Sequence, residues 1–383
     1  MNFGHELKSL WHLESDLLFL NHGSFGGTPK QVLEAEWEWE KRMERDPMHF
    51  FLDDYNLLLA KVIKRLADFV YADPRKLVLV DNATSGVCTV LRSELTDKPA
   101  EFTIVFTSHI YPAVKKIIEY ISKVNGYKTN EIYIPFPLAG EEEIMDYYRK
   151  GLGDGPGIAV LDHISFGPGV IFPIKEMIDF SRQKGFFTLV DAAHAPGMLP
   201  LNIEELKADW YVGNCHKWMF TPKGCALLWA DTHVQDITTP LTISHFYGEG
   251  YSQGFGWTGT RNPAPWLALG EALDFINSFG HENIYNYNHN LIIEGSNLIA
   301  ESLGVQPTVP GDMLGFLAPV EFPGNFSGTP QESAALRARL YKEHNAEAVF
   351  NYLDGKMWLR ITAQIYNEIS DYKKLAGILK GFI

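Results

Sequence analysis

Between Leu77 and Trp229 the chain alternates short, almost uninterrupted apolar runs with longer amphipathic stretches, and this alternation leaves few folds open. The runs LVLV (Leu77–Val80), TIVF (Thr103–Phe106), IAVL (Ile158–Leu161) and TLV (within Phe187–Val190) are apolar at nearly every position. That is how strands buried on both faces read. Glu131–Ile134, Trp210–Gly213 and Ala226–Trp229 add further strands, with helices expected over Ser85–Ser93, Pro112–Val124, Glu141–Lys150 and Pro173–Lys184. Repeated strand–helix units of this length predict an α/β fold, a mainly parallel sheet sandwiched by helices. In such a sheet the ligand sits beyond the carboxyl ends of the strands. Asn82–Gly86, Ser108–Tyr111, Asp162–Ser165 and Asp191–His194 all fall there, so four loops converge on one site.

The stretch Thr188–Gly224 carries the chemistry. An apolar strand ends at Asp191, and His194 follows three residues on. The run Trp210–Gly213 leads into Asn214, His216 and Lys217, and Lys217 has Trp218, Met219 and Phe220 beside it. Apolar surroundings lower a lysine's pKa and leave its amine nucleophilic. A lysine of that kind, with an acid at a strand end 26 residues earlier, is what pyridoxal 5'-phosphate requires. The lysine forms a Schiff base with the aldehyde, and the acid keeps the pyridine nitrogen protonated. Asp191, His194 and His216 fit no zinc-ligand spacing, and no metal is expected. In DNATSG a helix opens directly after a strand, which places Thr84 and Ser85 to hold a phosphate, although the same residues also suit an ordinary helix cap. GLGDGPG (Gly151–Gly157) precedes its strand and so is no dinucleotide loop, and HGSFG lacks the strand–elbow–helix context of a serine nucleophile.

Outside this region, Leu17–Leu20 reads as a short strand before the glycine-rich loop NHGSFGGTP. Helices are expected over Pro29–Arg45, Asn56–Val70, Pro263–Phe279 and Asn283–Leu303, with a long loop at Gly248–Asn262. The tail reads as a smaller α+β unit, with strands at Leu314–Val320 and Met357–Ile361 and helices at Glu332–His344 and Asp371–Lys380. Three regions are expected: an N-terminal segment 1–28 that joins the small domain and the active site, a large cofactor-binding domain 29–262, and a small α+β domain 263–383. The formal net charge of −14 argues against nucleic acid and anionic membrane surfaces as partners. The three cysteines, Cys88, Cys215 and Cys225, form no CxxC pair and suit a reducing cytoplasm. The N-terminus has neither the basic start nor the apolar core of a signal peptide.

The strings LNHGSFGGTP, DNATSG, VDAAHAPG, HKWMFTPKG, WTGTRNPAPWLALG and LRITAQIYN, in this order along nearly the whole chain, resemble the class V aminotransferase group of fold-type I pyridoxal phosphate enzymes. They are most similar to its isopenicillin N epimerase-like branch, which includes related C–S lyases. The resemblance implies that Lys217 is the Schiff-base lysine, Asp191 the partner of the pyridinium nitrogen and His194 the contact to the ring's O3′. It implies that Tyr111 stacks on the ring and that Ala83, Thr84, Ser85, Asn214 and His216 form the phosphate cup. Thr260 would be a phosphate contact donated by the second subunit of a homodimer. Arg360 would clamp the substrate carboxylate, a role suited to a bidentate guanidinium, and Asn21, His22 and Gly23 would line the substrate side. Ser165 takes the place of an asparagine that many relatives carry near the ring. Cysteine desulfurases of this group need a nucleophilic cysteine shortly before the carboxylate arginine, and none follows Cys225. The implied function is chemistry at the α-carbon of an amino acid through an external aldimine. Epimerisation is the first expectation, with C–S lysis of a cysteine conjugate or sulfoxide, or transamination, as alternatives.

Overall fold

A computed structural model describes residues 3–94, 98 and 101–382. Seven strands form the central sheet: β1 (Leu77–Val80), β2 (Thr103–Thr107), β3 (Lys128–Ile132), β4 (Gly157–Asp162), β5 (Phe186–Asp191), β6 (Trp210–Asn214) and β7 (Ala226–Ala230). Their spatial order is β1-β7-β6-β5-β4-β2-β3. The pairings from β3 through β6 are parallel, and β7 runs antiparallel to both of its neighbours.

The apolar runs follow from how each strand is covered. Within β1, Leu77 and Leu79 join one core, while Val78 and Val80 join the other. In β4, Ala159 and Leu161 likewise face one core, and Ile158 and Val160 the other. Successive side chains point to opposite faces, and here helices bury both. β3 departs from this pattern and from the expected position at Glu131–Ile134. It is an edge strand, Lys128, Thr129 and Glu131 are exposed, and only Ile132 carries an apolar signal.

A second, antiparallel sheet has the order Val349–Leu353, Lys356–Thr362, Leu317–Phe322 and covers a third core. The strand Val349–Leu353 is an addition to the expected elements. It turns back through Asp354 and Gly355, both at positive φ (50° and 79°), as a two-residue hairpin requires. The N-terminal segment reaches this sheet too. Leu18–Phe19 pairs in parallel with Ala346–Glu347, and the Thr362 N–H donates to the Leu20 carbonyl at 3.0 Å. Gly248–Asn262 is not wholly a loop, because Tyr251–Gly256 is helical and the Tyr251 hydroxyl donates to the Leu228 carbonyl at 3.1 Å.

Candidate active site

Parallel pairing brings the strand ends together. Asp162 and Asp191 end neighbouring strands in direct register, and Asn214 ends the next. The helix Ala83–Glu94 opens beside them. Its first N–H groups are tied down on both sides of Thr84: Ala83 N–H donates to Asn214 Oδ1 at 2.8 Å, and Ser85 N–H to Asn82 Oδ1 at 2.9 Å. Lys217 rides on the short helix Cys215–Trp218. The N-terminal segment packs against that helix so closely that a Cβ on Gly26 would fall 1.9 Å from the His216 carbonyl oxygen, and Gly26 also has φ 71°. Only glycine fits there without displacing the lysine's backbone.

These elements enclose a cavity of about 340 Å³, lined by Gly23, Ala83, Thr84, Tyr111, Asp162, Asp191, His194, Asn214, His216, Lys217 and Arg360, with Ser24, Phe25, Phe166 and Val349 among the others. Most residues singled out from the sequence therefore meet at one place. Others lie outside the lining. Asn21 Oδ1 accepts the Ser24 hydroxyl at 2.6 Å. His22 is buried, with Nε2 donating to the Lys217 carbonyl at 2.9 Å and Nδ1 at 2.8 Å from the Tyr366 hydroxyl. Ser165 Oγ accepts from Val170 N–H at 2.9 Å, within its own turn. Ser85 also stands back from the cavity, and Thr260 is exposed on a loop of the same chain. Asp162 faces the cavity although the sequence reading gave it no role. Its signal is the one that marked Asp191, an acid at the carboxyl end of an apolar strand.

Charge in the cavity is unusually uncompensated. Burial, and then the charge of Arg360, depress the Lys217 amine to about 7, with Asp191 opposing. Lys217 Nζ lies 3.1 Å from His194 Nε2, and His194 is held well below its ordinary range by burial and then by Lys217. Burial also lowers His216 to about 4. Asp191 Oδ1 accepts Ala193 N–H at 3.0 Å, yet burial still pushes the carboxyl up. Asp162 is pushed well up by burial and by the neighbouring Asp191. Arg360 is 2% exposed. Its Nη1 donates to the Phe166 carbonyl at 2.6 Å and its Nη2 to Ser24 Oγ at 3.2 Å, while Nε has no partner among the described residues.

This donor set fits pyridoxal phosphate. Lys217 offers an amine whose pKa burial and Arg360 lower toward neutrality. Asp191 offers a buried carboxylate with no cation in contact among the described residues. Thr84 offers a hydroxyl in the first turn of a helix, where the helix dipole favours a phosphate. Arg360 is a buried cation with no carboxylate in contact among the described residues.

The comparisons with known proteins agree with this geometry. The family model for aminotransferase class-V matches residues 25–313. An L-cysteine desulfhydrase of Arabidopsis thaliana is 30% identical over 400 residues, covering 95% of this chain and 87% of that protein. An isopenicillin N epimerase of Streptomyces clavuligerus is 27% identical, covering 98% and 97%. Among solved structures, a cysteine desulfurase from Thermococcus onnurineus NA1 superposes with a TM-score of 0.82 at 19% identity, covering 100% and 98%, and shares the fold.

Proposed function

The chain belongs to the class-V aminotransferase family and uses pyridoxal 5'-phosphate, and on that premise we propose that it is a C–S lyase converting L-cysteine and water to sulfide, pyruvate and ammonia. The full-length likeness to an L-cysteine desulfhydrase carries the reading. When bound, the cofactor supplies an electron sink that lets an α-proton leave as an acid.

The rest falls to the protein's side chains. Arg360 takes the amino-acid carboxylate and fixes its orientation. Lys217 Nζ, near 7, is matched to removing a proton at neutral pH. Asp191 balances positive charge at the ring nitrogen. The substrate thiol, with an ordinary pKa of about 8.5, keeps its proton at neutral pH, so the sulfur leaves carbon as hydrosulfide and takes up a proton to become hydrogen sulfide. An epimerase needs a second acid–base group to work across from the lysine. The His194 imidazole does not fill that place, because its Nε2 lies beside the lysine itself, 3.1 Å from Nζ. The cavity lining contains no cysteine to accept sulfur, and Cys215 and Cys225 are buried away from it. We read the enzyme as a homodimer in which the exposed Thr260 reaches the partner's site.

The test is to incubate the holoenzyme with L-cysteine in deuterated water. Sulfide and pyruvate should appear in equal amounts. D-cysteine carrying α-deuterium without sulfide release would replace this reading with epimerisation, and alanine with sulfane sulfur would replace it with desulfuration.

A further inference from the structure

Trp218 directly follows the reactive lysine, and it is 2% exposed. Its ring packs against His22, with centroids 5.0 Å apart, and against Phe316 at 5.5 Å in an edge-on contact. A Cβ on Gly23 would come within 3.0 Å of Trp218 Cζ2, so the N-terminal segment presses on the same ring. Held this way, the indole N–H points at Nδ1 of His194, 3.3 Å off. The other imidazole nitrogen, Nε2, lies 3.1 Å from Lys217 Nζ.

The donor rules fix where the protons sit. An indole nitrogen only donates, so His194 Nδ1 accepts. In a neutral imidazole the proton then belongs to Nε2, where it faces the lysine. An ammonium has three donors and no acceptor, and it leaves that proton unmatched. The contact closes only when Lys217 is an amine whose lone pair receives the Nε2 proton. We infer that Trp218 is a positioning residue: by fixing the tautomer of His194, it holds Lys217 as the neutral amine that attacks an aldehyde.

The other titratable groups lining the cavity around this amine are Asp191, Asp162, His216, Tyr111 and Arg360. Arg360 lowers it further and Asp191 raises it, and the balance stands near 7. The indole–imidazole chain adds a directional preference that distant charges do not provide. The inference rests on Lys217 being the aldehyde-reactive lysine and not on which substrate bond breaks afterwards.

The test uses cofactor-free protein and no substrate. The rate of Schiff-base formation with added pyridoxal phosphate is followed by absorbance from pH 6 to 10. The wild type should show a midpoint near 7. Trp218→Phe keeps an aromatic ring but removes the N–H. His194 is then free to carry its proton on Nδ1 and accept from an ammonium, and the midpoint rises. A rise of about one pH unit cuts the neutral fraction at pH 7 from about a half to about a tenth, so the rate there falls about fivefold while the rate at high pH is retained. A purely structural role would lower the rate at every pH and leave the midpoint in place, which overturns the inference. Nitrogen NMR of cofactor-free wild type reads the tautomer directly, even if Trp218→Phe does not fold. A proton on Nε2 supports the inference, and a proton on Nδ1 overturns it. Lys217→Ala should give no band, and a surviving band would fault the lysine assignment rather than the role of Trp218.

Discussion

Replacing Lys217 by Met should make the cofactor-free protein more stable near neutral pH. The lysine sits where its ammonium is disfavoured, with its pKa lowered from an ordinary 10.5 to about 7 by burial and by Arg360. At about 1.36 kcal/mol per pH unit, that difference bounds the penalty at roughly 4–5 kcal/mol. Water in the open cavity and local relaxation reduce it, so a gain of about 2–4 kcal/mol is expected for a neutral side chain of similar length. The pH dependence gives the sharper signature. An unfolded lysine keeps its proton to about pH 10.5, whereas the folded one releases it above about 7. Between these values the unfolded state binds the extra proton, so this group's contribution to stability improves as pH rises. The advantage of the variant is therefore greatest at and below pH 7 and closes toward pH 10. Urea-unfolding midpoints of both cofactor-free proteins across pH 6 to 10 measure it. A variant no more stable than wild type at pH 7, or a gap that stays constant with pH, would refute the claim of a buried, depressed lysine.

Two further outcomes follow from the cavity. Arg360→Ala should weaken binding of amino-acid carboxylates by roughly 2–5 kcal/mol, read as the dissociation constant of an unreactive amino acid by spectral titration, and Arg360→Lys should recover only part because it lacks the guanidinium fork. An unchanged constant would remove Arg360 from the site. Mixing Lys217→Ala with Thr260→Ala subunits should restore activity above that of either variant alone, because one site of the mixed dimer then has both residues intact. No gain, with subunit exchange verified by mass, would place Thr260 outside the partner's site.

Much of this architecture is legible in the sequence because burial on both faces removes the usual alternation and leaves continuous apolar runs. Six of the seven central strands follow from that signal. The edge strand Lys128–Ile132 is displaced from its expected position because exposed side chains carry no such mark. Val349–Leu353 escapes a reading by periodicity because only Phe350 in it is buried, although Asp354–Gly355 is a hairpin turn signal that identifies it. The convergence of Thr84, Tyr111, Asp191, Asn214, His216 and Lys217 also follows from the sequence, since parallel strands deliver their carboxyl ends to one edge. Arg360 arrives by a different route, from the middle of an antiparallel strand. Resemblance located it where topology did not.

What no sequence pattern reports is whether a buried charge has a partner. In a chain with 47 acidic and 33 basic side chains, a half-buried lysine and a buried arginine would ordinarily meet carboxylates. Surface cations do, as in the contacts of Lys115 with Glu131 and Arg337 with Glu347. Lys217 and Arg360 have no carboxylate within contact distance among the described residues, and the two carboxyl groups that line the same cavity, Asp162 and Asp191, have no cation within contact distance among them either. The fold instead holds them apart around a cavity, with Arg360 anchored through Phe166 and Ser24, Asp191 through Ala193 and Lys217 against His194. Each is thus held by neutral partners rather than by a counter-charge, and on the proposed reading the cofactor's pyridinium and the substrate's carboxylate would supply the missing charges.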